Sequence, residues 1–344
     1  MHHPTISGQC PHCRRGPGIR ETLAAIRAIL HTLLISQVIS GWRLLALTTY
    51  VSGLLLVDQG ASLLRICRYL PDASHDLLTR LLGQRDLPAL LMAALRLVAH
   101  ALCRQLGAPV WIVDDVIVPK PSSITLPWAK GLWCPAEQRY VRALTIVVLL
   151  ASWGALRIPL GFRLWCPKEC AAPQQYRTKL DLAVELVGEA LASRVACGYV
   201  TFDSWYTARP LTRYLDVQGL VWYGALAANH EVVWQGRGQR VDGLGRQLHD
   251  WYAHRIGYPV ASGAIYSRSL GHVRLTRVRI GQAKRPHLYL VTNAQTCTPS
   301  EAWQSKRSRW PIEELFRDEK QLVNLSGCQS RRVEAQKAHI AMVL

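Results

Sequence analysis

Residues 309–320 read Arg309-Trp310-Pro311-Ile312-Glu313-Glu314-Leu315-Phe316-Arg317-Asp318-Glu319-Lys320. Apolar residues recur at helical spacing, so Ile312, Leu315, Phe316, Leu322 and Val323 can share one buried stripe. Pro311 has no N–H and belongs in a first helical turn, which puts Arg309 at the helix entry. Arg309 then lies one turn before Glu313, and Lys320 about two turns after it on the same side. One carboxylate flanked by two cations makes a poor core, but it can hold a metal ion beside a phosphate backbone. Taken alone, the helix leaves a second reading open, a solvated face laced with i,i+4 ion pairs.

Working back from this helix, the chain from Pro109 has the texture of an α/β domain. Val110-Trp111-Ile112-Val113-Asp114-Asp115-Val116-Ile117-Val118 is an apolar run broken by two acids and reads as a buried strand. Residues 142–150 and 157–165 are two more strands, joined at Ser152-Trp153-Gly154. Residues 176–192 have helical period and 199–202 form a short strand ending in Asp203. A helix follows at 207–217 and a strand at 220–226. From about 227 to 298 the pattern turns β-rich, with strands at 232–235, 239–241, 272–280 and 287–292. Some of these strands could belong to the core sheet. Before this domain, residues 19–106 are helical, with Ser74 or Asp76 as a cap for a helix over 77–82 and Arg65, Arg68, Arg80 and Arg85 around the turn. The domains read as 1–106, helical and DNA-binding, and 107–344, catalytic. The chain stops in the apolar run 338–344 without a helix stop signal, as if cut within a helix.

Three acids are the candidate metal ligands: Asp115, Asp203 and Glu313. Metal-assisted phosphoryl transfer needs carboxylates converging from different elements on oxygen-loving ions. Asp114 and Asp115 point to opposite faces of a strand, so they cannot be equivalent ligands. A buried unpaired carboxylate is costly, which makes the pair hard to explain as packing. Asp203 could instead serve as a helix cap.

The 344 residues are 49% apolar, enough for a full core, and carry a net charge of +18 with 41 Lys+Arg against 23 Asp+Glu. That balance favours a polyanionic partner, nucleic acid first. Ten cysteines lack framework spacing. Cys10-Pro-His-Cys13 is half a zinc knuckle, and Cys67, Cys103, Cys134, Cys197 and Cys328 read as reduced packing residues of a cytoplasmic protein. The most apolar stretch, 143–161, contains Arg157 and Pro159 and reads as paired strands, not a membrane span. No glycine-rich phosphate loop indicates ATP.

The order Arg309, Glu313, Lys320 resembles the Arg-Glu-Lys part of the YREK signature of cut-and-paste bacterial insertion-sequence transposases. Asp114-Asp115 followed by Pro119-Lys120, Ile158-Pro159-Leu160-Gly161-Phe162-Arg163 and Asp203-Ser204-Trp205-Tyr206 are similar to that family too. Lys306 stands where the family has Tyr, and Val116 where it often has Thr. The resemblance implies an RNase H-like core with a β-rich insertion before the catalytic glutamate. It implies a DDE triad of Asp115, Asp203 and Glu313, with Asp114 the alternative to Asp115, holding two Mg²⁺ (or Mn²⁺). It further implies cleavage at terminal inverted repeats, transfer of the freed 3′-OH into target DNA, and a homodimer on double-stranded DNA beside the bacterial nucleoid. Arg309 and Lys320 would contact phosphate near the scissile bond. Arg177 and Lys179, at a basic helix start, are further candidate DNA contacts, and Trp234 and Trp251 candidate platforms for an unpaired base. The rival readings are an RNase H-like nuclease that cuts without joining, and a decayed DNA-binding remnant.

Overall fold

The structure is a computed structural model. It describes residues 41–57, 62–70, 74–121, 124–134, 138–172, 174–246, 250–280 and 287–344, together with Ala24, Ala28 and Ile39. The Cys10–Cys13 motif lies outside the described residues. Four helices come first: α1 (Trp42–Leu56), α2 (Leu63–Tyr69), α3 (His75–Leu82) and α4 (Leu87–Leu106). Ser62 and Ser74 cap α2 and α3 by accepting from the N–H groups of Arg65 and Leu77. Gly107, at φ 80°, ends α4 in a conformation that suits glycine.

Twelve described strands then form one sheet. They are β1 (Val110–Pro119), β2 (Lys130–Cys134), β3 (Arg139–Trp153), β4 (Leu156–Leu164), β5 (Tyr199–Phe202), β6 (Trp222–Leu226), β7 (Glu231–Trp234), β8 (Arg237–Arg240), β9 (Trp251–Ala253), β10 (Tyr258–Ser267), β11 (Gly271–Arg279) and β12 (His287–Thr292). Helix α5 (Lys179–Ala192) separates β4 from β5, and α6 (Arg209–Val217) separates β5 from β6. After β12 come α7 (Pro299–Arg307), α8 (Trp310–Gln321) and α9 (Val333–Val343).

The centre of the sheet is β1. It pairs antiparallel with β3 along its whole length and parallel with β5, which pairs parallel with β6. Both β2 and β4 pair with the other edge of β3. Strand β12 pairs with β6, and β11, β10, β7 and β8 follow outward, with β9 beside β10. This is a mixed α/β, RNase H-like arrangement. The expected insertion is not a separate layer: it extends the core sheet through β6 and β12. Three strands escaped the sequence pattern. Strand β2 is short and mostly exposed, β9 has only three residues, and β10 carries Pro259 and Gly263.

Each sheet face carries its own core. Leu144, Ile146, Val148, Leu150 and the even residues of β1 pack with α1, α2, α3, α8 and α9. Trp111, Val113, Val147 and Leu149 pack with α5 and α6 on the other face. The N-terminal helices therefore share one core with the sheet and α8, so in packing terms they do not stand apart from residues 107–344. Helix α4 is long and apolar enough to cross a bilayer by composition, and one side of it packs into the fold. It buries Leu87, Leu91, Met92, Ala94 and Ala99, and Arg96 donates to the carbonyl of Leu160 at 2.9 Å, tying α4 to β4.

Two ties fix α8. Arg309 at its start bonds to β1, as described below. Beyond its far end, the buried Lys120, next after β1, donates to the carbonyls of Ser326 at 2.8 Å and Cys328 at 3.0 Å in the segment that follows α8. On α8, Ile312 and Phe316 are buried and Leu315 packs partly buried against the same core, as expected; Leu322 lies past the helix end and is exposed. The last inward position of the helix is taken by a carboxylate. Glu319 is 4% exposed, and neither of its oxygens has a hydrogen-bond partner among the described residues. Burial, with a lesser contribution from Asp318, pushes its carboxyl up to about 9.

The sign of the resulting pH dependence follows from linkage. The unfolded chain releases this proton above about pH 4.3, whereas the folded chain keeps it to about 9. Stability is therefore lost as pH rises through that window. Glu319→Gln removes the titration. In thermal melts the wild type should lose ground steadily against the Gln variant between about pH 5 and pH 9; parallel curves would show that the folded carboxyl titrates normally.

Candidate active site

Parallel pairing sets Val113 opposite Phe202, and one residue further along each strand stand Asp114 and Asp203. Their faces follow from the pleat. On β5, Tyr199 is hydrogen-bonded to Ser308 at 2.8 Å and Thr201 donates to the carbonyl of Ser305 at 3.3 Å, so that face looks toward α7 and the start of α8. Asp203 is the next residue on it. On β1, Ile112, Val116 and Val118 share a core with Ile312 and Phe316 of α8. Asp114 belongs to that face. Asp115 belongs to the opposite one, with Trp111 and Val113.

Arg309 joins β1 to α8. One guanidinium nitrogen donates to Asp114 Oδ2 and the other to Glu313 Oε1, both at 2.6 Å. The Asp114 side chain is 15% exposed and Glu313 40%. Burial pushes the Asp114 carboxyl up to about 7; Arg309 and the backbone N–H of Asp115 oppose this, and the charge of Asp203 adds to it. Asp203 lies at a turn, its Oδ1 accepting from the N–H groups of Trp205 at 2.9 Å and Tyr206 at 3.1 Å. Helix α6 itself starts later, so Asp203 caps this turn and not the helix. Gly224 on β6 leaves room for the turn, since a Cβ there would collide with Thr207 and Phe202.

Asp115 was the expected ligand, but its partners lie on the other side of the sheet. Lys179 Nζ donates to Oδ2 at 2.8 Å and the Tyr206 hydroxyl to Oδ1 at 3.0 Å. The physical reason is the pleat: on a strand buried on both faces, the sequence could not say which of two adjacent acids meets α8. Glu314 turns away from the aspartates, accepting from Trp310 Nε1 at 3.1 Å and pairing with Arg157 at 3.4 Å.

The other expected contacts are dispersed. Lys179 is the first residue of α5, behind a Thr178–Asp181 capping box, and its ammonium is spent on Asp115, not offered to solvent. Arg177, just outside that helix, is exposed and 3.5 Å from Glu185. Trp234 packs against the core, its buried indole N–H having no hydrogen-bond partner among the described residues. Trp251 is exposed on β9. Lys320 is exposed on α8, and Lys306 lies over the Trp303 ring at 5.6 Å. The residues the sequence reading passed over are Tyr206 and Trp205 as structural partners. Their signal was contiguity, since both lie in the Asp203–Tyr206 motif.

Among the described residues, no three His, Cys, Asp or Glu side chains lie close enough together to hold a metal ion. What Asp114 and Glu313 share is the Arg309 cation, with Asp203 alongside. The donor set is all carboxylate oxygen, the chemistry that hard divalent ions select. The fit is thus one of donor type and of a shared cation position.

Two family models match the chain. That of the DDE superfamily endonucleases matches residues 42–254, and that of the transposase DDE domain matches residues 177–344. The first spans the four N-terminal helices and both aspartates; the second spans Asp203, Glu313 and the whole of α8. No match was found among curated proteins. Since the first model covers more than half of the chain, the protein belongs to the DDE superfamily endonucleases and is a DDE-type transposase.

Proposed function

We propose that the protein is a cut-and-paste transposase of the insertion-sequence type, with Asp114, Asp203 and Glu313 as its metal-binding triad. The observation that carries this reading is the common face: Asp114 and Asp203 stand at neighbouring strand positions, and Arg309 links Asp114 to Glu313. A pair of Mg²⁺ or Mn²⁺ ions held there would activate the attacking oxygen and stabilise the leaving one. The chain's own residues do the rest. Asp114 comes from a strand, Asp203 from a hydrogen-bonded turn at a strand end and Glu313 from a helix held by Arg309 at its start, so the acids are preorganised. Arg309 neutralises two of them and, on DNA, exchanges a carboxylate for a phosphate oxygen, a fork-shaped contact that arginine makes well. Lys320 supplies a second phosphate contact on the same helix. Arg309, Glu313 and Lys320 are then the Arg-Glu-Lys part of the YREK signature. The substrates are terminal inverted repeats and target duplex, bound by a homodimer, with the freed 3′-OH joined to the target.

Replacing each acid in turn tests the triad. Asp114→Asn, Asp203→Asn and Glu313→Gln should each lower Mg²⁺-dependent cleavage of an end duplex by on the order of 10³-fold or more, a loss of several kcal/mol of charge stabilisation. DNA binding should persist, because phosphate contacts come from the cations. Cleavage retained in Asp114→Asn but abolished in Asp115→Asn would return Asp115 to the triad. A pre-cleaved end offered to target DNA separates a transposase from a nuclease that cuts without joining.

Salt dependence tests Lys320. If it meets a phosphate, Lys320→Ala should reduce the slope of log K against log salt by about 0.9 on duplex DNA. The loss should be equal for an end sequence and a scrambled one. An unchanged slope would remove Lys320 from the interface.

A further inference from the structure

The second carboxylate of the Asp114-Asp115 pair has no role in the triad proposed above. It is nevertheless among the most fully partnered acids near the site. Lys179 holds Oδ2 at 2.8 Å and the Tyr206 hydroxyl holds Oδ1 at 3.0 Å. The Lys179 ammonium in turn lies 5.0 Å from the Trp205 ring centroid and 6.0 Å from that of Trp165.

Tyr206 has no solvent exposure, and it bonds to both Asp115 and Asp203. Its backbone N–H donates to Asp203 Oδ1 at 3.1 Å, while its hydroxyl donates to Asp115 Oδ1 at 3.0 Å. Thr207 closes the same turn by donating to the carbonyl of Asp203 at 2.9 Å. From strand β1 the path is therefore Asp115, Tyr206 ring, Tyr206 N–H, Asp203. Asp115 is bonded in sequence to Asp114, so the path fixes how far Asp203 stands from Asp114. Burial raises the Tyr206 hydroxyl far above its ordinary range, with the Asp115 charge adding to it, so it remains a donor throughout the working pH range.

Resting on the triad reading, we propose that Asp115 and Tyr206 are positioning residues: a buried carboxylate–phenol strut that sets the Asp203 carboxylate against Asp114, with Lys179 neutralising its foot. Two adjacent aspartates then divide the work. One faces the metal site and the other, across the pleat, holds the loop that brings its fellow ligand. Outer partners of this kind orient ligands that they do not replace.

The test uses the full chain and Mn²⁺ as the probe. Tyr206→Phe removes one oxygen and keeps the buried ring. It should leave the melting temperature and the affinity for an end duplex near wild type. Its Mn²⁺ affinity, read by electron paramagnetic resonance without DNA, should weaken by about 10–100-fold. Asp115→Leu should weaken it similarly, and Asp115→Asn, which still offers an oxygen to the phenol, should restore most of it. The double variant Tyr206→Phe/Asp115→Leu should be no worse than either single one, since both cut one path. Wild-type Mn²⁺ affinity in Tyr206→Phe would overturn the strut, as would a lowered melting temperature with unchanged Mn²⁺ affinity. Asp114→Asn serves as the control for the reading beneath. If it too binds Mn²⁺ as wild type does, the triad reading fails; if it abolishes binding while Tyr206→Phe does nothing, only the strut fails.

Discussion

Two adjacent carboxylates in a strand buried on both faces impose a constraint that the surrounding structure must answer. The pleat sends Asp114 and Asp115 into different cores, and each needs its own counter-charge there. Arg309 answers Asp114 from α8, and Lys179 answers Asp115 from α5. Each pairing also docks a helix. A buried charge left alone costs several kcal/mol, so misplacing either helix would expose an unpaired acid. The contact that docks α8 also brings Asp114 and Glu313 onto one arginine.

The constraint explains why the supporting elements look as they do. Helix α8 cannot slide along β1, because Arg309 holds its start and Lys120 holds the loop that follows it. Helix α5 cannot begin earlier, because the Thr178–Asp181 box sets its first turn and leaves Lys179 directed at Asp115. The cost of the arrangement shows in the carboxyl of Asp114, which burial lifts to about 7 even with Arg309 in contact. A further positive charge beside Asp114 would favour its charged form.

Much of the architecture was legible in the chain. Strand 199–202 and the hairpin around Gly154 have strong local signals, a β-branched or aromatic run and a turn residue at φ 82°. Pro311 announced the first turn of α8, and Ser74 the cap of α3. What was not legible depended on neighbours far away in sequence. Trp111, Ile112, Val113 and Val116 are all buried, so no alternation marked the faces of β1, and which of Asp114 and Asp115 faces α8 depended on the helices on either side. Strand β12 looked like part of an insertion until its pairing with β6 made it core. Glu319 occupies an inward position that composition would reserve for an apolar residue.

The central claim is that Asp114, and not Asp115, joins Asp203 and Glu313 around the divalent ions. The most direct measurement is anomalous scattering from crystals of the full chain on an end duplex in Mn²⁺. The expected result is peaks within coordination distance of Asp114, Asp203 and Glu313, with Asp115 still bonded to Lys179 and Tyr206. Peaks coordinated by Asp115, or Glu313 remote from any peak, would contradict it.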